Sequence, residues 1–196
     1  MNRKKLMHAA VFAALAMGLA STAAQADLIT NGGFETGDFN GWTVNASATI
    51  VATGGANGQN PHSGTFWAAL GDTSSAYPFG TLSQTVADIT GQTYLLSYWL
   101  QSDGRAPNYF SASWNGTTLA GSVLTNVGFT GYNNYQFTVT GTGSDTLTFH
   151  EQNVPGFWAF DDISLNQTAA VPEPATMTLL GLGLLGLGFA RRKRTG

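Results

Sequence analysis

From Leu28 to Leu165 the apolar side chains recur in runs of strand length and never hold a helical repeat for more than a turn or two. The runs are Leu28 to Thr30, Trp42 to Val51, Thr65 to Leu70, Leu82 to Val86, Tyr94 to Leu100, Tyr109 to Trp114, Tyr132 to Val139, Thr146 to Phe149 and Trp158 to Leu165. Clusters of Gly, Asn, Asp and Ser separate them, and Thr53 to Pro61 is a Gly/Asn loop. Short strands joined by such turn residues predict an all-β antiparallel sandwich. Composition points the same way, because a stretch rich in Gly, Thr, Ser, Asn and aromatics and nearly free of Lys and Glu disfavours helices. There is no cysteine, so stability must come from a packed core, alone or with a metal. Phe34, Trp42, Trp67, Tyr98, Phe110, Trp114, Phe137, Phe149 and Phe160 are expected in that core. In the last run, strict alternation places Ile163 and Leu165 on one face with Asp161, and Phe160, Asp162 and Ser164 on the other.

Two apolar segments at the ends stand outside this pattern. Asn2-Arg3-Lys4-Lys5, then Leu6 to Leu19, then Ala24-Gln25-Ala26 form the basic, apolar and small-residue regions of a signal peptide, 1–26, with cleavage expected after Ala26. At the other end, residues 171–196 join Val171-Pro172-Glu173-Pro174 to the uncharged run Ala175 to Ala190 and to Arg191-Arg192-Lys193-Arg194. As a helix, 175–190 would span roughly 24 Å, just enough to cross a bilayer as a single transmembrane segment with some thinning. The basic tail 191–194 would stay on the cytoplasmic side. What remains, 27–170, has the length of one domain.

Removing the ends changes the electrostatics. Arg105 is the only Lys or Arg between Asp27 and Ala170, against ten acids from Asp27 to Asp162, which leaves a formal charge of −9. Nucleic acid is thereby excluded as a partner, because phosphate contacts need several basic side chains. Cations, neutral sugars and basic partners remain open.

The tail resembles the PEP-CTERM sorting signal of exported bacterial proteins, on Pro172-Glu173-Pro174, the short Gly/Leu-rich run and Arg191 to Arg194. The resemblance implies a transient inner-membrane-anchored intermediate, recognition by an exosortase and cleavage near the Pro-Glu-Pro motif. The mature protein would then reach the cell surface or extracellular matrix. An ordinary single-span tail anchor is the alternative.

The domain carries a second resemblance, to galactose-binding-like jelly rolls, a group that includes many carbohydrate-binding modules. Its residues are Leu28-Ile29-Thr30-Asn31-Gly32-Gly33-Phe34-Glu35-Thr36-Gly37 with Gly41-Trp42 at the start, and Phe160-Asp161-Asp162-Ile163-Ser164-Leu165 at the close. Such folds often hold a structural calcium beside their first and last strands. That implies Glu35 and Asp161 as ligands, with Asp38 and Asp162 in reserve, since calcium takes six to eight oxygens.

Sugar rings stack on exposed aromatics, and Tyr77, Phe79, Arg105, Tyr109, Tyr132 and Tyr135, with Phe157-Trp158, lie in or beside expected loops. Glycoside hydrolysis needs two carboxylates on one cleft, for which Asp72, Asp103 and Glu151 are the free acids. Glu151 reads instead as an exposed charge at a strand end, and adjacent His150 must point to the opposite face. No nucleophile-elbow pattern is present. The expectation is an exported, non-catalytic jelly-roll protein that associates with exopolysaccharide or biofilm by weak carbohydrate contact. A structural or adhesive matrix protein without sugar specificity is the alternative, and a secreted hydrolase comes third.

Overall fold

The computed structural model describes residues 26–75, 77 and 79–168. The signal segment up to residue 25 and the tail from residue 169, with Pro172-Glu173-Pro174 and the 175–190 run, lie outside the described residues. Among the described residues no helix is long and apolar enough to cross a membrane.

The described residues form eleven strands: β1 (Thr43–Asn45), β2 (Ile50–Thr53), β3 (Phe66–Leu70), β4 (Gly80–Ala87), β5 (Thr93–Ser102), β6 (Asn108–Trp114), β7 (Thr117–Thr118), β8 (Leu124–Thr125), β9 (Asn133–Thr140), β10 (Ser144–Asn153) and β11 (Trp158–Gln167). They pair in two sheets, the first in the order β1-β4-β10-β6-β7 with β8 also on β6, the second β2-β3-β11-β5-β9. Every pairing is antiparallel.

Alternation decides what lies between the sheets. In β4, β5 and β10 every second residue is buried, which turns Leu82, Tyr94, Leu96, Tyr98, Leu100, Leu147 and Phe149 inward. Tyr98 sits at the centre of the core, with Phe149 edge-on at 5.2 Å and Phe160 at 5.4 Å. Eight of the nine aromatics expected inside are buried, and Phe137 packs against the core while partly exposed. Trp67 belongs to a smaller cluster on the opposite face of the second sheet, with Ala52, Ala69 and Ala159. Trp158, expected at the start of the last strand and beside a loop, is the first residue of β11 and is buried in the main core.

Two expectations from the sequence need correcting. The run Trp42 to Val51 is not one strand, because β1 pairs with β4 in the first sheet while β2 pairs with β3 in the second. The intervening 46–49 segment crosses between the sheets. The last strand does not alternate strictly either, since its register with β5 shifts between Asp161 and Ser164, and Asp162 takes φ 50°. One residue is thereby added to the strand and the phase flips. Phe160, Ile163 and Leu165 therefore all face the core, and Asp161 faces away from Ile163.

Candidate functional site

The two ends of the domain meet on one short segment. Glu35 Oε1 accepts the backbone N–H groups of Thr65 and Phe66 at 2.9 and 3.0 Å. Asp161 Oδ2 accepts those of His62 and Ser63 at 2.9 and 3.2 Å. The bulge turns Asp162 to the same segment, where it takes His62 Nδ1 at 2.5 Å and the Ser63 hydroxyl at 2.7 Å. A Cβ on Gly33 would come within 3.5 to 3.8 Å of Asp162 Oδ1, Asp161 Oδ1 and Glu35 Cγ, so the three acids surround one small cradle. Gly64 closes it: its φ is +61°, and a side chain there would collide with the Glu35 carboxylate. Burial pushes the Asp161 carboxyl up to about 7, and the charge on Asp162 adds to this against the backbone N–H bonds. Asp38 stands apart and staples its own turn through Thr36 and Asn40, whose hydrogen bonds hold its carboxyl below the usual range.

Carboxylate oxygens are hard donors of the kind calcium takes, but Glu35 Oε1, Asp161 Oδ2 and both Asp162 oxygens already face protein donors. Among the described residues no group of three or more His, Cys, Asp or Glu side chains is arranged around a metal position. A cation here would draw its remaining ligands from backbone carbonyls and water.

The aromatic side chains divide among three places. Tyr77, Phe79 and Tyr109 meet on the outer side of the first sheet, with Phe79 4.8 Å from Tyr109 and 5.9 Å from Tyr77. Tyr77, 66% exposed, also lies 5.8 Å from His150. Beside them is a cavity of about 250 Å³ lined by Thr73, Ser74, Ser75, Phe79, Pro107, Gln152 and Val154. Arg105 is exposed nearby, its Nη1 donating to the Pro155 carbonyl at 3.2 Å and its Nε 3.9 Å from Asp103. Tyr132 belongs to the second sheet, donating to the Asn60 carbonyl at 2.9 Å and meeting His62, which stacks on Trp99 at 3.9 Å. Tyr135 stacks on Tyr98 at 5.5 Å against the core.

The strand register extends the first of these places into a surface. Across β1, β4 and β10 the outward residues align as Thr43–Ser83–Thr148 and Asn45–Thr81–His150, with Thr85 opposite Thr146. On β6 the rows end in Ser111 and Ser113, both buried, while Tyr109 stands opposite Gln152. No Asp, Glu, Lys or Arg is among these side chains, and burial lowers the pKa of His150, which favours its neutral form. His150 was weighed in the sequence only as a neighbour of Glu151, and Gln152 and the Thr73-Ser74-Ser75 wall were not named there. The phase of Thr146, Thr148, His150 and Gln152 along β10 was the available signal.

The acids of a hydrolytic reading are committed elsewhere. Glu151 is not an exposed charge but fully buried, bound to the Thr49 hydroxyl and the Asp72 N–H. Asp72 receives four donors, from Ser47, Ser74 and Gly80. Asp103 takes the N–H groups of Arg105 and Phe157 and the Asn153 amide.

Residues 170–194 match the family model of the PEP-CTERM protein-sorting motif. The chain carries a PEP-CTERM sorting motif. No curated protein sequence matches the chain. Among solved structures, TmCBM61 in complex with beta-1,4-galactotriose is similar at 22% identity and TM-score 0.52, over 73% of this chain and 99% of that one. The CBM22-1 xylan-binding domain of Paenibacillus barcinonensis Xyn10C is similar at 14% identity and TM-score 0.54, over 77% of this chain and all of that one. The enzymatically active domain of bacteriophage CBA120 tailspike protein 4 aligns at 17% identity and TM-score 0.53, over 72% of this chain but 21% of that one. The PEP-CTERM chain thus folds as a jelly roll of the kind seen in carbohydrate-binding modules. At these identities the likeness is one of fold.

Proposed function

We propose that this is an exported, non-catalytic protein that holds a neutral polysaccharide across the outer face of the first sheet. The observation that carries the reading is the uncharged hydroxyl face of β4 and β10 running into Tyr77, Phe79, Tyr109 and His150 beside the cavity. Hydroxyls and the Gln152 amide meet sugar hydroxyls, aromatic rings take the apolar face of a pyranose, and no charge must be stripped of water. The occupation of Asp72, Asp103 and Glu151 with backbone donors supports the non-catalytic part, because no pair of carboxylates is left facing this surface.

The PEP-CTERM motif supports sorting by an exosortase through a membrane-anchored intermediate. Delivery to the cell surface or extracellular matrix would place the domain among exopolysaccharide and biofilm. Glu35 and Asp161, with Asp162 beside them, would hold a structural calcium. The ion would supply charge neutralisation where three acids meet, while the residues themselves hold residues 62–66 through backbone N–H groups.

Affinity electrophoresis in gels containing neutral polysaccharides tests the reading. Retardation of the wild type, with Tyr109→Ala and Phe79→Ala losing about ten-fold in affinity at unchanged melting temperature, is the expected result, since one stacked ring is worth about 1 kcal/mol or more. Equal mobility in every gel would overturn it. The alternative, a matrix protein without sugar specificity, has support in the free edge of β9 in the second sheet. It predicts self-association instead of retardation.

A further inference from the structure

The 73–79 loop supplies Tyr77, Phe79 and the cavity hydroxyls Thr73, Ser74 and Ser75. Both ends of it are held by one side chain. Asp72 Oδ2 accepts the N–H of Ser74 at 3.0 Å and that of Gly80, the first residue of β4, at 2.9 Å. Oδ1 of the same carboxylate accepts the N–H and hydroxyl of Ser47 at 3.0 and 2.8 Å, tying the loop to the crossing between β1 and β2. The Ser47 hydroxyl in turn accepts the N–H of Thr73 at 3.0 Å. Beneath, Glu151 Oε2 accepts the N–H of Asp72 at 2.9 Å. The fit is close, for a Cβ on Gly80 would lie 2.6 Å from Asp72 Cβ and 2.7 Å from Ala46 Cβ.

Only an ionised carboxylate can receive four donors from three segments, because a side-chain amide accepts on one of its two atoms. Burial opposes the charge on Asp72, but hydrogen bonds from Ser74 and Ser47 outweigh it and hold the carboxyl well below the usual range. Asp72 is 2% exposed and is not among the residues lining the cavity.

We infer that Asp72, seated on Glu151, is the positioning residue of the aromatic cluster: its carboxylate holds Ser74 on one side and Gly80 on the other, so that Phe79 stands against Tyr109 and Tyr77 against His150. The inference rests on reading this face as a glycan site. A loop ordered in advance spares the ligand the cost of ordering it.

The test is Asp72→Ala in the full chain, purified in detergent, with amide hydrogen exchange read residue by residue. Alanine removes both acceptor oxygens, so all four bonds are lost. The Ser74 and Gly80 amides are expected to exchange about ten-fold faster while the β5–β11 ladder is unchanged, and retention on a neutral polysaccharide is expected to fall several-fold. Unchanged exchange at Ser74 and Gly80 overturns the inference whatever the glycan result, and so does faster exchange with undiminished retention. If Asp72→Ala loosens the whole ladder, the exchange of Ser74 and Gly80 is read relative to that of the ladder, and no acceleration beyond the ladder's own is then the overturning result. A wild type that binds no polysaccharide overturns the glycan reading, and with it the binding half of the inference. The exchange rates in that case still decide whether Asp72 holds the loop.

Discussion

Glu151 makes the stability of this domain depend on pH in a calculable way. Burial pushes its carboxyl from 4.5 up to about 7, and the charge on Asp72 adds to this against hydrogen bonds from Thr49 and Asp72. A carboxyl raised in the folded state favours folding fully below its unfolded value, and that advantage is lost as pH rises through the folded value. At 1.36 kcal/mol per unit, the loss between pH 4.5 and 7 is about 3 kcal/mol. The folded structure gives Glu151→Gln no obvious cost, since the glutamine carbonyl can accept the Asp72 N–H and its amide can donate to the Thr49 hydroxyl. Asp72, held below the usual range, titrates in the acid region and does not interfere above pH 5. Urea melts of wild type and Glu151→Gln at pH 5, 6, 7 and 8 are the assay, and subtracting the two removes the contribution of Asp161, which is also raised. The variant is expected to gain about 2 to 3 kcal/mol on the wild type between pH 5 and pH 8. A difference constant over that range would refute the reasoning, because Glu151 would then be no costlier to ionise folded than unfolded.

Three further outcomes follow from individual residues. The Tyr98 hydroxyl is buried without a partner among the described residues, so Tyr98→Phe is expected to raise stability by about 1 kcal/mol in a denaturant melt. Gly80→Ala forces a methyl against Asp72 and Ala46 and is expected to cost about 1 to 3 kcal/mol, read as a lower melting temperature. Calcium is expected to raise the melting temperature of the wild type in a manner reversed by chelator and absent in Glu35→Ala, as binding to the folded state alone requires. An equal rise in that variant would remove Glu35 from the site.

Much of the architecture was legible because strand patterning is local. The alternation in β5 and β10 names its inward residues without reference to any partner, and the terminal segments declare themselves by charge and length. The same locality explains the failures. Whether 46–49 continues a strand or crosses between sheets depends on which edge β1 and β2 each find, and both edges are remote in sequence. The bulge at Asp161 was invisible because nothing in Phe160-Asp161-Asp162-Ile163 announces an added residue. It nonetheless decides which acids face His62 and Ser63. Glu35 and Asp161 were named by resemblance, whereas the shared 62–66 segment that joins them appears only in three dimensions.

The sequence by itself determined an all-β domain, an aromatic core, an acidic surface with a single arginine, and a sorting tail, all properties that reside in composition and short-range order. Only the tertiary structure decided which polar residues act together. Asp72, Glu151 and Ser47 are separated by up to 104 positions, yet lie within hydrogen-bonding distance in one chain of contacts. Burying a charge is costly unless donors converge on it, and that convergence is a property of packed strands and not of any one stretch of chain.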